Sequence, residues 1–163
     1  MTGQRQESRV RFLGLLVIIA GAILLVAGVG TYILVSTTLA DQNITVSDDA
    51  ARFAGQQVTQ PWQAYAQAEV INDHATEIGG GKTYAELPQD DPNRDTVMNA
   101  SFLQASLFTS VLAFGVAALA AALGVVFILI GVALRSVAGG MESREVVRVI
   151  SGGSEAAGAA HPG

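Results

Sequence analysis

The sequence predicts a mainly α membrane protein: a two-helix transmembrane antiparallel hairpin with a small, mostly helical extracytoplasmic cap. Three observations predict it. Two long runs, residues 12–40 and 96–134, contain no charged side chain. Half of the 163 residues are hydrophobic and 14% are charged, whereas an ordinary soluble domain is about a quarter charged. The charges are also unevenly placed, with ten acidic residues against three basic ones between the runs. The length holds one domain. A net charge of −5 and a pI near 4.8 exclude a nucleic-acid partner. With no cysteine in the chain, disulfides, thiolate metal sites and thiol catalysis are excluded as well.

Taken in order, residues 1–11 form an N-terminal tail and residues 12–35 the first span. At 1.5 Å per residue, about 20 residues cross a hydrocarbon core of about 30 Å, so 24 suffice with some tilt. The basic start (Arg5, Arg9, Arg11) and Thr38-Leu39-Ala40 resemble a signal peptide with its cleavage site. A signal h-region is shorter, about 7–15 residues, and the segment is expected to stay as an anchor. Residues 36–108 form the extracytoplasmic segment. The second uncharged run is too long for lipid alone, and Asn99, Ser101, Gln104 and Ser106 crowd its first third. Its membrane part is expected at about 109–134. Residues 135–163 form a second tail, with a short amphipathic piece over 141–150 and disorder from about 151.

Charge sets the expected orientation. Arg5, Arg9 and Arg11 outweigh Glu7 in the first tail, and Arg135 closes the second span. The intervening loop is strongly acidic. Positive-inside bias places both termini in the cytoplasm and the loop outside, in a multi-pass protein of a bacterial plasma membrane. Neither span contains Asp, Glu, Lys, Arg or His, which argues against an ion pathway.

Small residues recur every seven positions in both spans: Gly14, Gly21 and Gly28 in the first, and Ser110, Ala117, Gly124 and Gly131 in the second. Such a stripe lets two backbones approach closely. Antiparallel alignment sets Gly14 near Gly131, Gly21 near Gly124 and Gly28 near Ala117. Self-association through the same faces is the competing use, and a merely Gly- and Ala-rich composition is the plain one.

In the loop, Asn43-Ile44-Thr45-Val46 alternates as a short strand would. Pro61 suits the first position of a helix over about 61–78. Ala64, Ala68, Ile71, Ala75 and Ile78 make one apolar seam along it, and Gly79-Gly80-Gly81 ends it. Thr83 and Glu86 have capping-box spacing. Asp91-Pro92 caps an outer extension of the last helix over about 92–108. Trp62, Tyr65 and Tyr84 are expected as interface anchors, where amphipathic rings are favoured.

Few residues can carry chemistry. Gly79-Gly80-Gly81-Lys82-Thr83 looks like the end of a phosphate-binding loop, but position 76, where that motif needs glycine, is Thr76. No nucleotide site is expected. Glu69, Asp73 and Glu77 recur every four residues beside His74, so one helix face offers ligands for a divalent cation. A solvated acidic face explains the same spacing, and no metal, cofactor or catalytic residue is assigned.

The stretches Asn43-Ile44-Thr45-Val46, Ala64-Tyr65-Ala66-Gln67-Ala68-Glu69-Val70-Ile71, Gly81-Lys82-Thr83-Tyr84-Ala85-Glu86-Leu87 and Val97-Met98-Asn99-Ala100-Ser101-Phe102-Leu103 resemble a family of two-span actinobacterial membrane proteins called aromatic ring-opening dioxygenase LigA. The resemblance spans roughly residues 10–140 and brings no catalytic residues with it. The family's name implies ring cleavage. Against that, His74 is the one histidine of the outer segment and His161 lies in the opposite tail, so a two-histidine, one-carboxylate iron site cannot be assembled outside within one chain. The expected function is therefore non-enzymatic: an accessory or scaffold subunit of an envelope or membrane complex. Its expected partners are the lipid bilayer and other membrane proteins or further copies of itself. An extracytoplasmic sensor or ligand- or metal-binding module is the alternative, and ring-opening dioxygenase a distant one.

Overall fold

The computed structural model describes the backbone of residues 2–158 and the side chains of residues 8–138. Three helices follow one another: α1 (Thr2–Asp41), α2 (Pro61–Ile78) and α3 (Arg94–Gly158). Two of them are long and apolar enough to cross a membrane, over Ser8–Asp41 and Arg94–Ala138, and only 17% of the most apolar stretch of each is buried.

Both long helices continue past the spans expected from hydropathy, 12–35 and 109–134, and hydroxyl side chains along them bond within the helix. Thr37 Oγ1 donates to the carbonyls of Ile33 and Leu34 at 3.1 and 3.0 Å. Ser101, Thr109 and Ser110 donate to the carbonyls four residues earlier, at 2.9, 2.8 and 3.2 Å. Back-bonding of this kind hides a hydroxyl without breaking the ladder. Beyond Asp41 the chain turns at Asn43, whose φ is +52°. Asp91 delays α3 to Arg94, two residues later than expected, since its Oδ1 accepts the Asn93 N–H at 2.8 Å in a local turn. At the far end the backbone is helical to Gly158, where disorder is expected from about 151. Ala156 and Ala157 favour helix, and no proline occurs there before Pro162. The expected amphipathic character of 141–150 lies outside the described side chains.

α2 begins at Pro61 behind an extended Gln60 (φ −131°, ψ 157°). It ends in a Schellman arrangement: the Gly81 N–H reaches the Thr76 carbonyl at 2.8 Å and the Gly80 N–H reaches Glu77 at 3.0 Å. Gly80 supplies the left-handed conformation this stop requires, with φ +62°. The seam along α2 is buried at Ala64, Ala68 and Ala75 and half-buried at Ile71, but Ile78 is 43% exposed. Ile78 is the last helical residue, where the chain turns away.

The expected strand over 43–46 is an isolated bridge, Thr45 to Gln57. Three hydrogen bonds flank it: Val46 N–H to Gln56 O and Gly55 N–H to Val46 O, both 2.9 Å, and Val58 N–H to Ile44 O at 2.8 Å. Residues 56–58 are its partner, and a two-stranded pairing this short does not extend into a sheet.

The chain divides into two compact units. Residues Met1–Val26 and Ala121–Gly163 form one, and Ala27–Ala120 the other. In the first, Gly14, Gly21, Gly124 and Gly131 are buried at seven-residue intervals, and the segments of α1 and α3 run in opposite directions, Gly14 against Gly131 and Gly21 against Gly124. In the second, Val46, Val58, Ala64, Ala68, Leu107 and Phe114 make the core, with Tyr32 and Val111 packed on it. A smaller cluster joins Ala75, Leu87 and Val97.

Candidate functional site

The second unit carries an open groove of about 1070 Å³. One wall is the N-terminal part of α2, presenting Trp62, Tyr65, Glu69 and Asp73 at three- and four-residue spacing. A second wall is α3, with Gln104, Phe108 and Val111 on one face, and the loop residues Asp49, Arg52 and Phe53 supply a third. Phe53 has φ +61°, a conformation side chains of its bulk rarely adopt. The surrounding loop holds it there, since Phe53 also packs against the core.

Buried glutamines fix this loop on α2. Gln67 Oε1 accepts the Ser47 N–H at 2.8 Å. Gln63 Oε1 accepts the N–H groups of Thr59 at 2.9 Å and Gln60 at 3.1 Å, while its Nε2 donates to Gln56 at 3.1 Å. Tyr32 donates to Gln60 Oε1 at 2.7 Å, and Ser36 donates to the Thr59 carbonyl at 2.9 Å. Among the described residues no buried side-chain nitrogen or oxygen lacks a partner. Sequence reasoning missed these residues, because a glutamine beside alanines reads as an exposed polar position. The available signal was Gln60 ahead of the helix and Gln63 and Gln67 one turn apart on the face of α2 that also carries Ala64 and Ala68.

The acidic face of α2 is divided. His74 Nε2 lies 2.6 Å from Asp49 Oδ2, and both side chains are about half exposed. The His74 hydrogen bond holds the Asp49 carboxyl below its ordinary range; desolvation opposes it, and its own backbone and the imidazole's charge add smaller contributions in the same direction. Glu69 and Asp73 line the groove, and Glu77 does not. Among the described residues no group of three His, Asp or Glu side chains stands together as a metal site. Thr76 lies inside α2, its hydroxyl donating to the Asn72 carbonyl at 2.8 Å, and Gly79, Gly80 and Gly81 form the helix stop.

The three expected anchors have different surroundings. Trp62 is 51% exposed on the groove wall. Tyr65 meets Phe108 edge to face at 5.8 Å between ring centroids. Tyr84 lies under the Arg94 guanidinium, 4.3 Å from its ring centre. Arg94 Nη1 also donates to the carbonyls of Tyr84, at 3.2 Å, and Leu87. Beside it Glu86 accepts the Thr83 N–H and hydroxyl, both at 2.8 Å, and these bonds lower its pKa.

The small-residue stripes separate by unit. A Cβ added to Gly14 would lie 2.9 Å from the Gly131 carbonyl oxygen, and one added to Gly131 would lie 2.6 Å from that of Gly14. The Gly21 and Gly124 pair is closer still, 2.6 Å each way. In the other unit Gly28 and Ala117 are buried and Ser110 is half-buried. No protein-family model, curated protein or solved structure matches the chain.

Proposed function

We propose that the chain is a non-enzymatic integral membrane protein, an accessory or scaffold subunit of a bacterial membrane complex. Its spans would form an antiparallel hairpin with both termini cytoplasmic and the segment 36–108 outside as a cap. The observation that carries this reading is the contrast along α1 and α3. The glycines are buried, while Leu13, Ile23, Val26, Leu112, Leu119 and Leu129 are 55–73% exposed. In water those side chains would aggregate. In a bilayer they meet lipid or the spans of other membrane proteins, so the helices keep a wide surface for partners. The resemblance to two-span actinobacterial proteins supports the same architecture. Ring cleavage has no support in the site, where the one outer histidine is bonded to Asp49.

Affinity purification in mild detergent, followed by mass determination of the intact particle, tests the proposal. Stoichiometric partner chains or an oligomer of this chain are expected. A solitary monomer would count against it. The groove, lined by Trp62, Tyr65 and Phe108 and by Glu69 and Asp73, favours a second reading, an extracytoplasmic ligand-binding module.

A further inference from the structure

The groove of the second unit changes character along its length. The rings of Tyr65 and Phe108 touch, with Trp62 one turn of α2 away and Val111 one turn of α3 deeper in the apolar run. Along α2 in the other direction come Glu69 and then Asp73, about 6 and 12 Å from Tyr65 at 1.5 Å per residue. Both carboxylates are exposed. Three acidic side chains line the groove (Asp49, Glu69 and Asp73) against one basic one, Arg52. The stretch at Trp62, Tyr65, Phe108 and Val111 is aromatic and aliphatic, the stretch of α2 beyond it offers the Glu69 and Asp73 carboxylates, and Asp49 is engaged by His74.

We propose that this groove binds a long-chain alkylammonium: an ammonium head group carried on an apolar tail. The tail lies along Val111, Phe108 and Trp62. The head group reaches the carboxylates of Glu69 and Asp73, passing Tyr65, whose ring face attracts cations. An anionic amphiphile would meet the same carboxylates unfavourably, and a small ammonium ion would leave the apolar end unfilled. The inference rests on α1 and α3 lying in a membrane, which brings Val111 and Phe108 to the level where amphiphile tails are available.

Trp62 is the one tryptophan of the chain and lines the groove, so its fluorescence reports occupancy directly. The full chain in dodecyl maltoside, which has an uncharged head group, is titrated with a hexadecyl-dimethylammonium nitroxide that quenches indole on contact. Saturable quenching is expected, reversed by unlabelled hexadecyltrimethylammonium. Tetramethylammonium and hexadecyl sulfate should each compete at least about tenfold more weakly. The double variant E69Q/D73N should lose about tenfold in affinity, and if it fails to fold by circular dichroism, D73N alone should lose about threefold. Linear quenching that is identical in wild type and variant, or equal competition by tetramethylammonium or hexadecyl sulfate, overturns the proposal. The membrane reading fails separately, if the chain stays monodisperse without detergent.

Discussion

Gly21 and Gly124 face each other so closely that a Cβ built on either lies 2.6 Å from the carbonyl oxygen of the other. The approach is reciprocal and extends along the helices: the Cβ of residue 21 would also meet the Ile128 nitrogen at 2.9 Å, and that of residue 124 the Leu25 nitrogen at 2.6 Å. Backbone is the obstacle on both sides, and backbone cannot rotate away as a side-chain tip can. Dispersion between two bare backbone surfaces is what such a contact gains.

Substitution at this contact should therefore be costly at the first added carbon. Gly21→Ala and Gly124→Ala should each destabilise the chain in detergent, and Gly124→Leu should cost about 1–3 kcal/mol, as overpacking does. Gly30 and Gly115 are the controls, because nothing lies within 4 Å of a Cβ at either position. Alanine there should be neutral or stabilising by up to about 1 kcal/mol, the helix-propensity difference. Thermal melting followed by circular dichroism compares the alanine variants at the four positions. Equal effects at all four would mean that the close approach carries no energy.

The legible features and the missed ones differ in range. Seven-residue spacing is visible along one chain, and at Gly14, Gly21, Gly124 and Gly131 it coincides with a close approach of two backbones. Pro61 and Gly79 likewise bracket α2, since a proline start and a glycine stop act within a turn. Sequence distance hid the rest. His74 has carboxylates at neighbouring positions of its own helix, yet it bonds Asp49, 25 positions earlier. Gln67 holds Ser47 across 20 positions. The alternation over 43–46 carried a strand's pattern with too short a partner to make one.

Gln67 offers a direct check on the loop it holds. The residue is 9% exposed, and its Oε1 is the acceptor for the Ser47 N–H. Gln67→Leu keeps most of the volume and removes the acceptor, leaving a half-buried donor unpaired. Loss of such a partner costs about 1–3 kcal/mol. Hydrogen exchange should accelerate at Ser47 while amides in the middle of α1 keep their protection. An unchanged Ser47 exchange rate would show that the loop is held by its apolar contacts alone.

The Asp49–His74 contact gives a pH dependence with a defined sign. The hydrogen bond from His74 lowers the Asp49 pKa from its ordinary 3.8. The unfolded chain therefore takes up the proton first as pH falls. The contribution is present in full above about 3.8 and disappears as pH drops through and below that value. His74→Ala removes the cause, so the Asp49 midpoint should rise towards 3.8. A carbon-13 titration of the Asp49 carboxyl measures it. A midpoint unmoved by the substitution would show that the imidazole does not hold the carboxylate in solution.

The orientation is open to chemical labelling, because the native chain has no cysteine and any thiol reactivity comes from the one introduced. Positions 47 and 89 lie in the acidic segment between the long apolar helices, and positions 8 and 154 lie towards the two chain ends. A lipid bilayer blocks a charged maleimide, so the label reads which side each position occupies. Ser47→Cys and Gln89→Cys should react in intact cells. Ser8→Cys and Ser154→Cys should react only after lysis, since Arg5, Arg9, Arg11 and Arg135 favour the cytoplasmic side. The reverse pattern would invert the topology and place the groove on the cytoplasmic side. Labelling at all four positions in intact cells would remove the membrane reading itself.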